Sequence, residues 1–426
     1  MKKGLLVFAV IFLLIFNTIS VYAEEQINID AQSYILADLK SGQILYEKDA
    51  DKRIYPASTT KMLTAILGLE KGSLDQLMTA SQAAVNDIGK DGMNIGIMAG
   101  EQLTMDDLLH ALLIRSANET ANIIAENICP TREEFVELMN QKAAELGATG
   151  THFVNPCGAH DKDHYSTSRD LLKIAMYGMS IPKFKEIVGE KDFTISPTNK
   201  HPEWPLITTT NVMMGWKSDY YTKVTGVKTG YTDPAGNNLI SSAVDSKGME
   251  LIAVINGVGP NTGTHAVFNF SRQLLEFGFK NYSIQNLVAP NKFIDKVLVS
   301  NAKDDTQVEI VTKDGLDSVL SNDASKWKIE TKININPSIT APINQGDVLG
   351  DIEYTNNGVS LGKVSLVASN PVEAKPEPKK IIEKTVSSNI LTKVSIFAGC
   401  LLVGFLLLRF ILRRISRKRR YRRSRF

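Results

Sequence analysis

Ser58 and Lys61 stand three residues apart in Tyr55-Pro56-Ala57-Ser58-Thr59-Thr60-Lys61-Met62-Leu63-Thr64-Ala65, where Pro56 marks a turn and an apolar helical run follows. Residues at i and i+3 of a helix share one face, so the amine can reach the hydroxyl. Serine is a weak nucleophile at neutral pH and needs an adjacent base. A lysine held beside it can be that base without any histidine. The six histidines, His110, His152, His160, His164, His201 and His265, fall in no catalytic pattern. The His160/His164 spacing would suit a metal, but Gly158 and the polar run around it read as a loop.

The tetrapeptide alone is a weak signal. Four other Ser-x-x-Lys matches occur, beginning at Ser180, Ser300, Ser325 and Ser360. The order of three motifs is stronger: Ser58-x-x-Lys61, then Ser116-Ala117-Asn118, then Lys228-Thr229-Gly230, and Lys-Thr-Gly occurs once in the chain. This set is shared by penicillin-binding proteins and class A β-lactamases.

These motifs need a frame. Ser33–Asp38 and Ile44–Glu47 read as short strands, and the Ser58 helix runs to a C-cap at Gly72. Met62, Leu63, Ala65, Ile66, Leu67 and Leu69 make that helix apolar on most sides, as a central buried helix would be. From Ser73 to about Pro205 the chain reads as mostly helical, clearest over Asp106–Cys129, Glu133–Leu146 and Ser168–Tyr177. Thr222–Lys228, Asn238–Val244 and Glu250–Val258 read as strands, and His265–Phe279 as an amphipathic helix. Strands at both ends with helices between predict an α/β (α+β) catalytic domain: one antiparallel sheet with a helical insertion. From Ser283 onward five segments are rich in β-formers, and Asn356-Asn357-Gly358 is a hairpin signal.

The predicted organisation is a signal peptide at 1–23, a catalytic domain at 24–282, a small all-β domain at 283–370, a spacer at 371–388, a transmembrane helix at 389–412 and a basic tail at 413–426. Met1-Lys2-Lys3, an apolar run and Val21-Tyr22-Ala23 form the signal pattern. Lys393 and Arg409 would snorkel at the ends of the span. Nine basic residues after it, with no acid, place the tail in the cytoplasm and the catalytic domain outside. The chain is +2 overall, but its two basic ends leave −10 for Glu24–Leu408. An acidic exported part is not a nucleic-acid binder. Cys129 and Cys157 are compatible with a disulfide in an oxidising compartment, although sequence supplies no geometry for it.

At this point the chain resembles the low-molecular-mass penicillin-binding proteins, serine-type D-alanyl-D-alanine carboxypeptidases. Beyond the three motifs, Phe135–Asn140, Leu146–Thr149, Thr151–Pro156 and Thr167–Asp170 are similar to that family, and the β domain and C-terminal membrane attachment match its layout. Two departures stand out: Cys157-Gly158-Ala159, where the family often has His-Gly-Leu, and Tyr231, where some members have His.

The resemblance implies an acyl-enzyme on Ser58, with Lys61 as base and Ser116 as proton relay. It implies that Asn118, Lys228, Thr229, Gly230 and Tyr231 bind substrate, the backbone N–H groups of Ser58 and Tyr231 forming the oxyanion hole. The substrate would be the peptidoglycan stem pentapeptide, and β-lactams would be covalent inhibitors. The other partner is the membrane; no cofactor or metal is expected, and oligomeric state stays open. A D,D-endopeptidase or transpeptidase would use the same chemistry. A β-lactamase needs Glu-x-x-Leu-Asn, which is missing, since Glu137-Leu138-Met139-Asn140 has the wrong spacing. A non-catalytic penicillin sensor would need a signalling domain larger than the tail.

Overall fold

The computed structural model describes residues 27–89, 92–215, 220–263, 265–376 and 388–421. The signal segment at 1–23, most of the 371–388 spacer and the last residues of the tail lie outside the described residues.

Five antiparallel strands form the central sheet. They are β1 (Ser33–Asp38), β2 (Ile44–Lys48), β3 (Val224–Thr232), β4 (Gly236–Val244) and β5 (Glu250–Val258), in the order β2-β1-β5-β4-β3. Side chains alternate across a strand, and both faces are covered. Ile35, Ala37, Ile240, Ile252 and Val254 join the core beneath the helices. Tyr34, Leu36, Leu239, Leu251, Ala253 and Ile255 join a second core under the helix Ala266–Asn281.

The helix α1 (Lys61–Lys71) crosses the middle of the insertion, with every residue from Lys61 to Gly68 buried. Gly72 caps it, its N–H donating to the Gly68 carbonyl at 3.0 Å. Ser58 itself lies in a 3₁₀ turn, Ala57–Thr60, which leads directly into α1. The expected continuous helix from Asp106 to Cys129 is broken. A helix Met105–His110 and a π-helical turn Ala111–Arg115 end at Ser116, whose φ of +66° is left-handed. The helix α2 (Asn118–Ile128) then starts anew. The break separates Ser116 from the helix, so its hydroxyl and the Asn118 amide both line one cleft.

The second sheet contains the five β-rich segments read from sequence: Phe293–Leu298, Gln307–Thr312, Ile329–Ile335, Val348–Asn356 and Val359–Ala368. Asn357 and Gly358 join the last two strands with φ of +52° and +79°, as a two-residue hairpin turn requires. A pair of strands not anticipated, Tyr282–Val288 with Leu316–Ser321, forms a separate ribbon.

The chain divides into two compact units that do not follow chain order. One holds Met1–Val297, Glu309–Pro337 and Gln345–Asn370; the other holds Leu298–Val308, Ser338–Asn344 and Pro371–Phe426. The second includes the helix Ser388–Tyr421, of which Thr392–Ser416 is long and apolar enough to cross a membrane.

Candidate active site

The three motifs arrive from three elements: the start of α1, the broken helix at Ser116, and β3. Ser58, Ser116, Asn118, Thr229, Gly230 and Tyr231 line one cleft of about 610 Å³. A larger cavity, about 890 Å³, opens among Lys40, Met176, Met179 and Leu316, and contains none of them.

Lys61 is fully buried. Its Nζ lies 2.8 Å from Ser58 Oγ, 2.6 Å from Asn118 Oδ1 and 2.7 Å from the Cys157 carbonyl oxygen. Burial brings its pKa down to about 8, against smaller opposing pulls from the Cys157 thiol and Glu119. A neutral amine has two N–H donors and one lone pair. Asn118 Oδ1 and the Cys157 carbonyl can only accept, so they take the donors and the lone pair is left facing the Ser58 hydroxyl.

Lys228 is also buried, its Nζ 3.0 Å from the Thr229 carbonyl. Burial, and then the charge of Lys61, hold its pKa well below the usual lysine value. Thr229 Oγ1 shares a 2.6 Å hydrogen bond with Thr210 Oγ1. Gly230 packs under the Ser58 turn: a Cβ there would come within 3.0 Å of the Pro56 carbonyl oxygen and 3.1 Å of Ser58 N. Tyr231 is exposed at the rim, its hydroxyl donating to Asp233 at 2.8 Å.

Several supporting residues carry no motif. Asn155 Oδ1 accepts from the N–H groups of Gly158 and Ala159, and Asn155 Nδ2 donates to the Ala159 carbonyl. This ties down the loop that delivers the Cys157 carbonyl to Lys61. Gly158 lies against the Ala57 carbonyl, where a Cβ would sit 1.9 Å from the oxygen. The Thr151–Pro156 segment therefore carries a site-building signal in the sequence, although nothing local separates Asn155 from its neighbours.

His164 is buried, and burial drives its pKa down to about 3. Its Nδ1 accepts from Val154 N–H at 3.1 Å, so the proton sits on Nε2 and is donated to Thr60 Oγ1 at 2.8 Å. Both ring nitrogens are thus engaged, which leaves neither for a metal, while the His160 ring packs edge-on against Tyr55. The cysteines Cys129, Cys157 and Cys400 are all free.

The D-alanyl-D-alanine carboxypeptidase family profile matches residues 20–259, more than half of the chain, and the penicillin-binding protein 5 C-terminal domain profile matches 282–374. D-alanyl-D-alanine carboxypeptidase DacF of Bacillus subtilis is 30% identical over 357 residues, which cover 82% of this chain and 86% of the relative. DacC of Escherichia coli is 28% identical over 386 residues, 85% of this chain and 90% of the relative. Among solved structures, penicillin binding protein 5 from Haemophilus influenzae superposes with a TM-score of 0.66 at 28% identity, covering 82% of this chain and 100% of that one. A peptidoglycan synthesis regulatory factor from Streptococcus pneumoniae shares the fold at a TM-score of 0.70 and 24% identity, with 82% and 100% coverage. A cleft built on Ser-x-x-Lys, Ser-x-Asn and Lys-Thr-Gly, family profiles over residues 20–259 and 282–374 and relatives aligned over most of their length agree: the chain belongs to the serine-type D-alanyl-D-alanine carboxypeptidase family.

Proposed function

We propose that Ser58 attacks the carbonyl of the penultimate D-alanine of a peptidoglycan stem pentapeptide, with Lys61 taking the hydroxyl proton. The observation that carries this reading is the three-point hold on the buried Lys61 amine, which aims its lone pair at Ser58 Oγ. The tetrahedral oxyanion forms between the backbone N–H groups of Ser58 and Tyr231, where a pair of fixed donors favours developing charge. As the C–N bond breaks, the departing D-alanine amine receives the proton from Lys61, relayed by the Ser116 hydroxyl. Water then adds to the Ser58 ester, its proton passing to Lys61. Collapse restores the serine and releases the tetrapeptide.

Asn118 Nδ2 donates to the Ile88 carbonyl at 2.6 Å. In the complex the second N–H of that amide donates to the substrate backbone while Oδ1 keeps Lys61 in place. Lys228 and Thr229 take the terminal carboxylate. A buried lysine that takes up its proton beside a free carboxylate favours exopeptidase over endopeptidase action, since an internal peptide has no charge to offer it. Gly230 leaves room for substrate backbone along β3. β-Lactams present the same carboxylate and acylate Ser58. The reaction as drawn uses no metal.

The helix Thr392–Ser416 would anchor the enzyme in a single pass. At about 1.5 Å per residue it exceeds the roughly 30 Å hydrocarbon layer. The basic residues from Arg413 onward favour a C-terminal end in the cytoplasm, with the cleft outside.

Full-length enzyme in detergent, incubated with a stem pentapeptide and followed by mass spectrometry, should release free D-alanine and tetrapeptide in equal amounts. Penicillin should abolish both, and EDTA neither. Cross-linked dimer as main product would favour transpeptidation. A penicillin adduct that persists in Ser58→Ala would sink the nucleophile assignment.

A further inference from the structure

The turn that carries Ser58 has an uncommon shape. Ala57 has a φ of +48°, a left-handed conformation that alanine seldom adopts. Three parts of the fold close around it. Gly230 and Gly158, as described, leave room for its carbonyls. The third part is Asn238, buried at 1% exposure. Its Nδ2 donates to the Tyr55 carbonyl at 2.8 Å and to the Pro56 carbonyl at 3.2 Å. The glycines only permit the turn; Asn238 pulls on it.

Asn238 is aimed by an irregularity in the sheet. The β4–β5 register runs Asn237 to Val258, then Leu239 to Ile255, so Asn238 stands opposite two residues, Asn256 and Gly257. Such a bulge re-aims side chains and is common beside active sites. Gly257 has a φ of +73°, and a Cβ there would lie 2.5 Å from the Gln32 side chain. The bulge presents Gly257 N–H to Asn238 Oδ1 at 2.8 Å. A backbone N–H only donates and a carbonyl only accepts, so these partners fix which end of the amide faces the turn. On the other side Asn238 pairs with Gly230, the glycine beneath Ser58 N.

We propose that Asn238 is a positioning residue for acyl transfer: by holding the Tyr55 and Pro56 carbonyls it sets the direction of Ser58 Oγ and of the Ser58 N–H. The β4–β5 bulge serves to aim it. This rests on Ser58 as the nucleophile. Lys61 is held separately, by Asn118 and the Cys157 carbonyl, so its proton affinity does not depend on Asn238. Misplacement of the turn therefore lowers the rate of the chemical step and leaves the pH midpoint and substrate capture in place.

The test uses the full-length enzyme with Asn238→Ala and Asn238→Asp. Aspartate has the same size and still accepts from Gly257, but it sets a carboxylate oxygen against two carbonyl oxygens. Both variants should lose about 10- to 100-fold in kcat and in saturated acylation by penicillin. KM should stay within about threefold, and the acid-side midpoint of acylation in Asn238→Ala, which adds no charge, should match the parent's. A peptide boronic acid forms a tetrahedral adduct with an oxygen where the oxyanion develops, so its affinity should fall by the same factor as kcat. A raised KM with unchanged kcat, a shifted midpoint in Asn238→Ala, or full boronate affinity alongside a reduced kcat each overturns the proposal. So does unfolding of both variants at 25 °C by circular dichroism, because a purely structural role then suffices. The nucleophile assignment fails separately, through penicillin labelling of Ser58→Ala, whatever Asn238 does.

Discussion

The proton on Lys61 should control the acylation rate over the neutral pH range. Burial takes this lysine from 10.5 to about 8. That drop is worth about 3 kcal/mol, and about 300 times more free amine at pH 7. Roughly a tenth of the enzyme then carries the base form at pH 7, half at pH 8 and nine-tenths at pH 9. The base must be unprotonated, so the rate falls on the acid side. Acylation at saturating penicillin should rise about tenfold from pH 7 to pH 9, with a slope near one below pH 7. The saturated constant is the one to measure, because Lys228 also titrates low, through burial and the charge of Lys61, and affects capture of the carboxylate. Rapid quench with a fluorescent penicillin from about pH 5.5 to about pH 9.5, which brackets a midpoint near 8, gives the profile directly. In Lys61→Arg the guanidinium stays protonated, so acylation should fall about 10²- to 10⁴-fold with no recovery at high pH. A flat parent profile, or a midpoint near that of a free lysine, would refute the assignment of Lys61 as a base tuned by burial.

Gly230→Ala should cut acylation by about 100-fold, because its Cβ presses on Ser58 N and the Pro56 carbonyl; near-parental rates would show that the turn can give way. Binding of a carboxylate inhibitor should draw a proton onto Lys228, seen as an enthalpy that varies with the ionisation heat of the buffer, and no variation would count against its role. His164 has a folded pKa near 3, below its unfolded value of 6.5. The unfolded chain therefore binds more protons, and stability falls as pH drops through 6.5, by about 1.4 kcal/mol per unit. Urea unfolding at pH 6.5 and pH 5 should show about 2 kcal/mol of this loss in the parent and not in His164→Asn; equal losses in the two proteins would exclude His164 as its source. Carbonate washing should leave the full-length protein in the membrane, and release would favour a peripheral helix over a span.

Local chemistry along the chain makes much of the site legible in the amino-acid sequence alone. Ser58, Lys61, Ser116, Asn118, Lys228, Thr229 and Gly230 declare themselves because short motifs join reactive groups at helical or strand spacing. The sheet is legible for a related reason: Ser33–Asp38 and Glu250–Val258 are short, nearly continuous apolar runs, as strands covered on both faces should be. The apolar run after Asn389 announces a helix suited to a membrane by length alone. Tertiary structure decides what the motifs need in order to work together. The break at Ser116 depends on a left-handed backbone after a run of good helix formers, and Ser116-Ala117-Asn118 alone does not tell a break from a continuous helix. The depressed pKa of Lys61 exists only because helices from distant parts of the chain exclude water around it. Asn238 reads locally as no more than the first residue of a strand. Its role comes from a one-residue slip in strand register that places its amide across from Tyr55 and Pro56, 182 and more residues away. Short-range spacing encodes which groups can react, while burial and register, being sums over long-range contacts, settle the protonation and direction in which they meet.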